Sequence, residues 1–326
     1  MPLAAHFRML LLQRSSFVAS LSIASIISET PIKQPSKQRN IVDDASCWRA
    51  LVDRNILKTN DSMAGPLVRL AFHDATTGYP NASIRFELER PENRGLTQPL
   101  QLLTDLWLSD FMTQHKQTTL SFADAIALAG STAIHHAGGP FIPIRVGRKD
   151  ASEADPATLS RSSLNFNNMS SQQVQYLTQS MPSAGLNSEG LRRYFSRLGL
   201  RQEEWVALCG VHGMGRHVSL LGMSKTCLRK LTKNCLENAP VRLPFVTSSV
   251  DQFDNRYFQY LLRWYHREID TLGEIAFIPT DVALVVDPGL RSHVERFSVH
   301  PDTYATTFAR AYQKLVERGA KSAVRC

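Results

Sequence analysis

Apolar residues recur at three- and four-residue spacing along most of the chain, the period of a helix that lays one face on a core. Ala45, Trp48, Val52 and Ile56 set this rhythm over residues 45–57. Residues 66–74 follow Gly65 and open on Pro66, and proline suits a first helical position, where its missing N–H costs nothing. Residues 96–111 and 122–136 read as two more helices. The second starts after Ser121 with Asp124 three residues on, a capping-box spacing, and stops at Gly138, Gly139 and Pro140. Further helices are expected over 172–179, 188–198, 202–212, 255–269, 280–286, 289–297 and 301–318. Alternating runs are scarce, and 142–146 is the best strand candidate. No internal repeat is visible. The pattern predicts a mostly α body with a soft boundary near residues 150–170.

Composition narrows this further. The 326 residues are 43% hydrophobic and 20% charged, which excludes collagen-like, disordered and coiled-coil chains. No apolar run reaches the roughly 18–20 residues of a membrane-spanning helix, so no membrane span is expected. Five cysteines are too few for a disulfide-dense secreted scaffold. The net charge of +8 brings nucleic acid to mind, but half of it lies in residues 1–40, where Arg8, Arg14, Lys33, Lys37 and Arg39 face Glu29 alone. The rest is spread without a basic block, so no nucleic-acid partner is expected.

Residues 1–28 hold no Asp or Glu and are rich in Ser, Ala and Leu. That is the composition of an organellar transit peptide. The apolar stretch 17–27 gives two alternatives, the core of a secretory signal or a disordered tail. Pro31, Pro35 and Ser36 read as a linker, which places the folded body at 41–326 behind a targeting segment and linker, 1–40.

Three segments carry candidate chemistry. Arg69 and His73 are four apart and share a helix face. A permanently charged fork of donors beside a group that moves protons near neutral pH could deprotonate a small acid and hold its anion. The rival reading is a surface Arg beside a satisfied core His. Residues 205–213 form an apolar segment ending at His212 between Gly210 and Gly213. Small neighbours let a bulky planar group approach, so His212 could be an axial iron ligand or, equally, a helix-capping His. Asp281 opens an apolar helix after Pro279 and Thr280 and by itself is an ordinary cap-region acid.

Taken in order, these segments and five others resemble the non-animal haem peroxidases, the class I-like group of ascorbate peroxidase and cytochrome c peroxidase. The matches are GPLVRLAFHDA (65–75), SIRFELERPENRGL (83–96), LSFADAIALAGSTAI (120–134), GGPFIPIRVGRKD (138–150), WVALCGVHGMG (205–215), FDNRYF (253–258), TDVALVVDP (280–288) and FARAYQKLVERGAK (308–321). ELERPEN, Phe72 before the histidine and AYQKLVERGAK are most similar to the plastid ascorbate peroxidase-related proteins.

The resemblance implies two helical lobes, distal (about 41–165) and proximal (about 166–326), with very little β and one haem b between them. It also implies an oxidoreductase that reduces hydrogen peroxide with a small electron donor in oxidative-stress defence, in a plastid rather than a mitochondrion. On the distal side it makes His73 the acid–base residue, Arg69 the stabiliser of developing charge, and Asn93 the hydrogen-bond partner of His73 supported by the Glu87 main chain. On the proximal side it makes His212 the axial iron ligand and Asp281 its carboxylate partner, with Phe72 and Phe245 lining the cofactor. Asp124 and Arg148 match a structural bracing pair.

The departures matter as well. Phe72 stands where most of the group has the Trp that catalase-peroxidases need, so strong catalase activity is not expected. Phe245 stands where a radical-holding Trp is usual. Trp205 lies roughly on the face of His212 but reads better as core. The lysine and arginine of the ascorbate site fall at Asp61 and Leu221, so that site does not carry over. The cation-site threonine is Gly213, with Thr247 and Asp254 left, and no additional cation is expected. Cys227 and Cys235 enclose an insertion after His212 and are a disulfide or two thiols. The alternative function is a peroxidase-fold haem-binding or structural protein with impaired turnover.

Overall fold

The N-terminal boundary of the first helix is set by Asn40, whose side chain accepts the Val42 N–H at 3.2 Å. The computed structural model describes residues 40–76, 79–155, 186–218, 242–246, 250–269, 277–322 and 324–326. The expected targeting segment, the helix over 172–179, Leu221, Cys227, Cys235 and Thr247 lie outside the described residues. Helix α1 (Ile41–Val52) starts four residues before its apolar rhythm, because the Asn40 cap and the first-turn carboxylates Asp43 and Asp44 suit the positive end of a helix. A π turn, Asp53–Leu57, closes it.

Helix α2 (Ala64–Thr76) carries Arg69 and His73. Helix α3 (Thr97–Leu106) runs on through a π segment, Trp107–Phe111, to Gln114. Helix α4 (Phe122–His136) has the expected capping box, Ser121 with Asp124, and is buried from Phe122 to Ile134. It is the central helix of this half. Both α1 and α2 pack on it, and Trp48 of α1 donates its indole N–H to the Ala125 carbonyl at 2.9 Å.

The second half holds α5 (Ser188–Arg197), α6 (Gln202–Cys209), α7 (Arg256–Tyr265), α8 (Pro279–Val286), α9 (Pro288–Val299) and α10 (Pro301–Val316). Helix α10 packs against both α6 and α2, so it ties the two halves together. The buried Arg148–Asp124 pair, 2.7 Å apart, adds to this tie, because Arg148 Nε also donates to the Val316 carbonyl at the end of α10. Trp205 is core, stacked on Phe195 with centroids 5.2 Å apart.

Three expectations need correction. The helix over 202–212 ends at Cys209, and Gly210–Met214 tightens into a 3₁₀ turn. A side chain at Gly210 would sit 2.7 Å from the Tyr304 hydroxyl, so only glycine allows this close approach. The helix expected to reach 269 stops at Tyr265, and Arg267 adopts φ 60°, a left-handed turn that no helix continues through. Residues 142–146 are extended but make a single bridge, Arg145 with Arg325. Pro143 has no N–H to give a ladder, and the partner is only the short C-terminal tail, whose Cys326 exchanges two 2.9 Å hydrogen bonds with Ile144. The described strands are β1 (Arg216–Val218) and β2 (Arg242–Pro244), antiparallel with Arg216 opposite Pro244. Three residues are too few to show an alternating pattern in the sequence. Among the described residues no helix is long and apolar enough to cross a membrane.

Candidate functional site

His73 lies on the third turn of α2, 5% exposed. Its Nδ1 is 2.8 Å from Asn93 Oδ1. Asn93 is held in turn, donating through Nδ2 to the Glu87 carbonyl at 2.8 Å. An amide oxygen only accepts, so it fixes the proton on Nδ1 and leaves the lone pair on Nε2. Burial, and after it the charge of Arg69, lowers the His73 pKa to about 3, against the smaller upward pull of the Asn93 bond. The ring is therefore neutral at any ordinary pH.

Arg69 shares the helix face as its spacing requires, but its fork grips the backbone of the Asn93 turn. Nη1 donates to the Arg94 carbonyl and Nη2 to the Glu92 carbonyl, both at 2.7 Å. The guanidinium thus braces the same turn that orients His73, while staying solvent-exposed. Phe72 is half-buried, its ring edge-on to His73 at 6.3 Å.

The second cluster centres on His212, in the Gly210–Met214 turn. Its Nδ1 is 2.8 Å from Asp281 Oδ1, with the His side chain 32% exposed and the Asp 1%. Asp281 sits in the first turn of α8 and its Oδ2 accepts the Ile278 N–H at 2.9 Å. Tyr257 of α7 donates its hydroxyl to Asp281 Oδ1 at 2.6 Å. Three donors therefore hold one buried carboxylate in a single orientation. Burial and the Asp281 charge push the Tyr257 pKa well up, so the phenol stays a donor. Phe245 stacks on the His212 ring at 4.8 Å, and Tyr257 meets that ring edge-on at 5.8 Å.

Sequence reasoning missed Tyr257. The signal available was a tyrosine in FDNRYF on the apolar face of a helix, since a buried hydroxyl needs an acceptor. What the sequence does not reveal is that the acceptor is Asp281, 24 residues on.

The two clusters meet through backbone. A side chain at Gly65, the second residue of α2, would collide with the Met214 carbonyl. Only glycine there lets the helix of His73 abut the turn of His212.

The donor set fits a haem iron. An imidazole whose Nδ1 proton is held by a buried carboxylate presents Nε2 as a ligand made more basic by that bond, and glycines flank His212 on its turn. Among the described residues no group of three or more His, Cys, Asp or Glu forms a separate metal cluster.

Fold and site together define a mostly α haem-peroxidase architecture, with one imidazole tied to an amide and another to a carboxylate. Comparison with known proteins agrees, because residues 50–300 match the peroxidase family, and the chain belongs to it, on the class I-like, non-animal side. An Arabidopsis thaliana protein provisionally named L-ascorbate peroxidase 6 is 32% identical over 265 residues, 79% of this chain and 64% of its own length. The chloroplastic L-ascorbate peroxidase T of the same plant is 32% identical over 333 residues, 95% of this chain and 68% of its own. A Cryptococcus neoformans protein provisionally named a heme-binding peroxidase is 30% identical over 283 residues, 80% of this chain and 73% of its own. The chain thus spans between 64% and 73% of the length of these relatives.

Proposed function

We propose that this chain is a haem peroxidase that reduces hydrogen peroxide with a small electron donor other than ascorbate, in a plastid, with one haem b per chain. The observation that carries the reading is the contrast between two histidines whose Nδ1 atoms are each fixed at 2.8 Å, one by a neutral amide and one by a carboxylate. The amide leaves His73 a neutral base. The carboxylate makes His212 a stronger ligand.

When bound, haem supplies the iron that reduces the peroxide O–O bond. His212 would hold that iron through Nε2, Asp281 would keep its Nδ1 proton partly withdrawn, and Phe72 and Phe245 would line the cofactor. His73 takes a proton from hydrogen peroxide on Nε2 and returns it to the departing oxygen, which leaves as water. Arg69 supplies positive charge beside that transfer and stabilises the anion that forms. Asn93 keeps the His73 lone pair on the working nitrogen throughout.

The donor reading rests on charge. At the position of the expected lysine, Asp61 presents a carboxylate that is 80% exposed and pairs with His136 Nε2 at 3.2 Å. An anionic donor such as ascorbate would meet repulsion there instead of a cation. The plastid reading is supported by the acid-free, hydroxylated start of the sequence and by the chloroplastic relative.

The test is an absorption spectrum of the full chain reconstituted with haem, before and after one equivalent of hydrogen peroxide. A prompt shift of the Soret band supports turnover. Haem binding with an unmoved band would instead support the reading of a haem-binding protein with impaired turnover.

A further inference from the structure

A second cluster of reactive side chains lies apart from both histidines of the peroxidase site. It comprises Cys47 and Asp44 of α1 and His115, just past the end of the α3 extension. His115 Nδ1 is 2.7 Å from Asp44 Oδ1, and its Nε2 is 3.3 Å from Cys47 Sγ. Asp44 is 3% exposed and His115 5%, whereas Cys47 is half-buried. The ring of His115 lies flat on Phe111, centroids 4.5 Å apart and planes 10° apart. Its backbone is fixed as well, donating to the Phe111 carbonyl at 2.8 Å and accepting from Thr118 at 2.9 Å.

Each part has a chemical consequence. A carboxylate accepting from Nδ1 forces the lone pair of the neutral ring onto Nε2, which faces the sulfur. The thiol proton then has a base within hydrogen-bond reach, and the imidazolium formed on taking it is stabilised by Asp44. This is the arrangement that turns an ordinary cysteine into a nucleophile, with the base oriented by a third group. The other described cysteines have no such environment. Cys209 has its pKa raised by burial and by the Asp281 charge, and Cys326 has its pKa raised by burial.

We propose that Cys47, His115 and Asp44 form a second peroxide-reactive site, in which Cys47 is the thiol that hydrogen peroxide oxidises to a sulfenic acid. His115 Nε2 takes the thiol proton. The thiolate sulfur attacks one peroxide oxygen, the S–O bond forms as the O–O bond breaks, and the other oxygen leaves with the electron pair as hydroxide. That hydroxide takes the proton from His115 and departs as water, restoring the base. Sulfur is oxidised by two electrons and peroxide reduced by two. A small hydroperoxide is the substrate, and the modified residue is a reversible mark of its presence. Nothing in this step uses the haem site, so the proposal stands or falls separately from the peroxidase reading.

The experiment exposes the full chain to hydrogen peroxide in the presence of dimedone and follows labelling of each cysteine peptide by mass spectrometry. All cysteines share one peroxide supply, so consumption by haem cancels from the comparison. Cys47 is expected to label at least about tenfold faster than Cys209 or Cys326. His115→Gln should slow Cys47 about tenfold or more while leaving the other two rates unmoved, and Asp44→Asn should slow it by less. Equal labelling of Cys47 and Cys326 in the parent, or an unchanged Cys47 rate in His115→Gln, overturns the proposal. A measurement on the parent alone guards against a variant that fails to fold. Iodoacetamide at neutral pH should alkylate Cys47 faster than it alkylates N-acetylcysteine, and a slower reaction also overturns the site.

Discussion

His73 and Asp281 show how single hydrogen bonds assign chemistry to side chains. Below 6.5, the ordinary value of a free imidazole, the unfolded chain takes up a proton that native His73 refuses until about 3. The unfolded state then binds more protons, so this residue's contribution to stability falls as pH drops across that window. Kinetically the same depression works in favour of the base. The peroxide reaction should keep a flat rate from pH 8 to about 5 in stopped-flow traces, and His73→Ala should slow it by roughly 10²–10⁴-fold without emptying the haem site. Arg69→Met removes a cause of the depression, so any acid inflection should move upward in pH as the rate falls. On the proximal side, Tyr257→Phe takes one of three donors from a fully buried carboxylate. It should cost about 1–3 kcal/mol in thermal or denaturant melts. It should also lower the reduction potential of bound haem, because Asp281 then bears more negative charge toward His212. The Asn93–His73 and Asp281–His212 partnerships were legible because whole motifs carry them. Tyr257 and the Cys47–His115–Asp44 cluster were not, because each is a contact made only by folding, across 24 to 71 residues of chain.

At the scale of elements, the sequence pattern located helices better than it located their ends. α4 is bounded as expected, because a capping box at Ser121 and Gly138 at φ 89° are local signals on either side. α1 and α7 were misjudged at one end each, where an Asn cap and a left-handed arginine decide the matter. The extended run 142–146 shows the opposite failure. Its Ile142, Ile144 and Val146 are fully buried, so alternation reported burial correctly without making a strand. The most consequential element contact is α2 against the Gly210–Met214 turn. Gly65→Ala puts a methyl group into the Met214 carbonyl, and backbone cannot swing aside as a flexible side chain would. The variant should lose about 1–3 kcal/mol from overpacking. It should also retain haem less tightly in a Soret titration, because the helix of His73 and the turn of His212 are forced apart. Equal haem affinity in parent and variant would mean that this contact does not set the spacing of the two clusters.

The fold as a whole is closed by its C-terminal tail on a buried cation. Arg49 of α1 reaches across the molecule, its Nη1 donating to Ser131 Oγ of α4 at 2.6 Å and its Nη2 to the main-chain oxygens of Ile142 and Cys326, each at 2.9 Å. Burial lowers its pKa to about 10, which still leaves it charged at neutral pH. A buried guanidinium is tolerable only while carbonyl and hydroxyl acceptors surround it. The tail supplies one of those acceptors and is itself held by the Ile144–Cys326 pair, by Ser322 N–H on the Val146 carbonyl at 3.0 Å, and by Arg325 on Glu317 at 2.7 Å. Glu317 follows α10 directly, and α10 spans both halves, so the last residues knit α1, α4, α10 and the 142–148 segment together. Deleting residues 322–326 removes the tail's own bonds and takes the Cys326 acceptor from Arg49, whose Nε already has no hydrogen-bond partner among the described residues. The chain should unfold about 2–4 kcal/mol more easily, the sum expected for a few lost hydrogen bonds and one under-satisfied buried charge. Arg49→Met in the same truncated chain should recover part of that loss, because a neutral side chain has no charge to satisfy. Chemical denaturation of the parent, the truncation, the single substitution and the combination reads this as a coupling energy. A purely additive result would mean that the tail acts through backbone pairing alone.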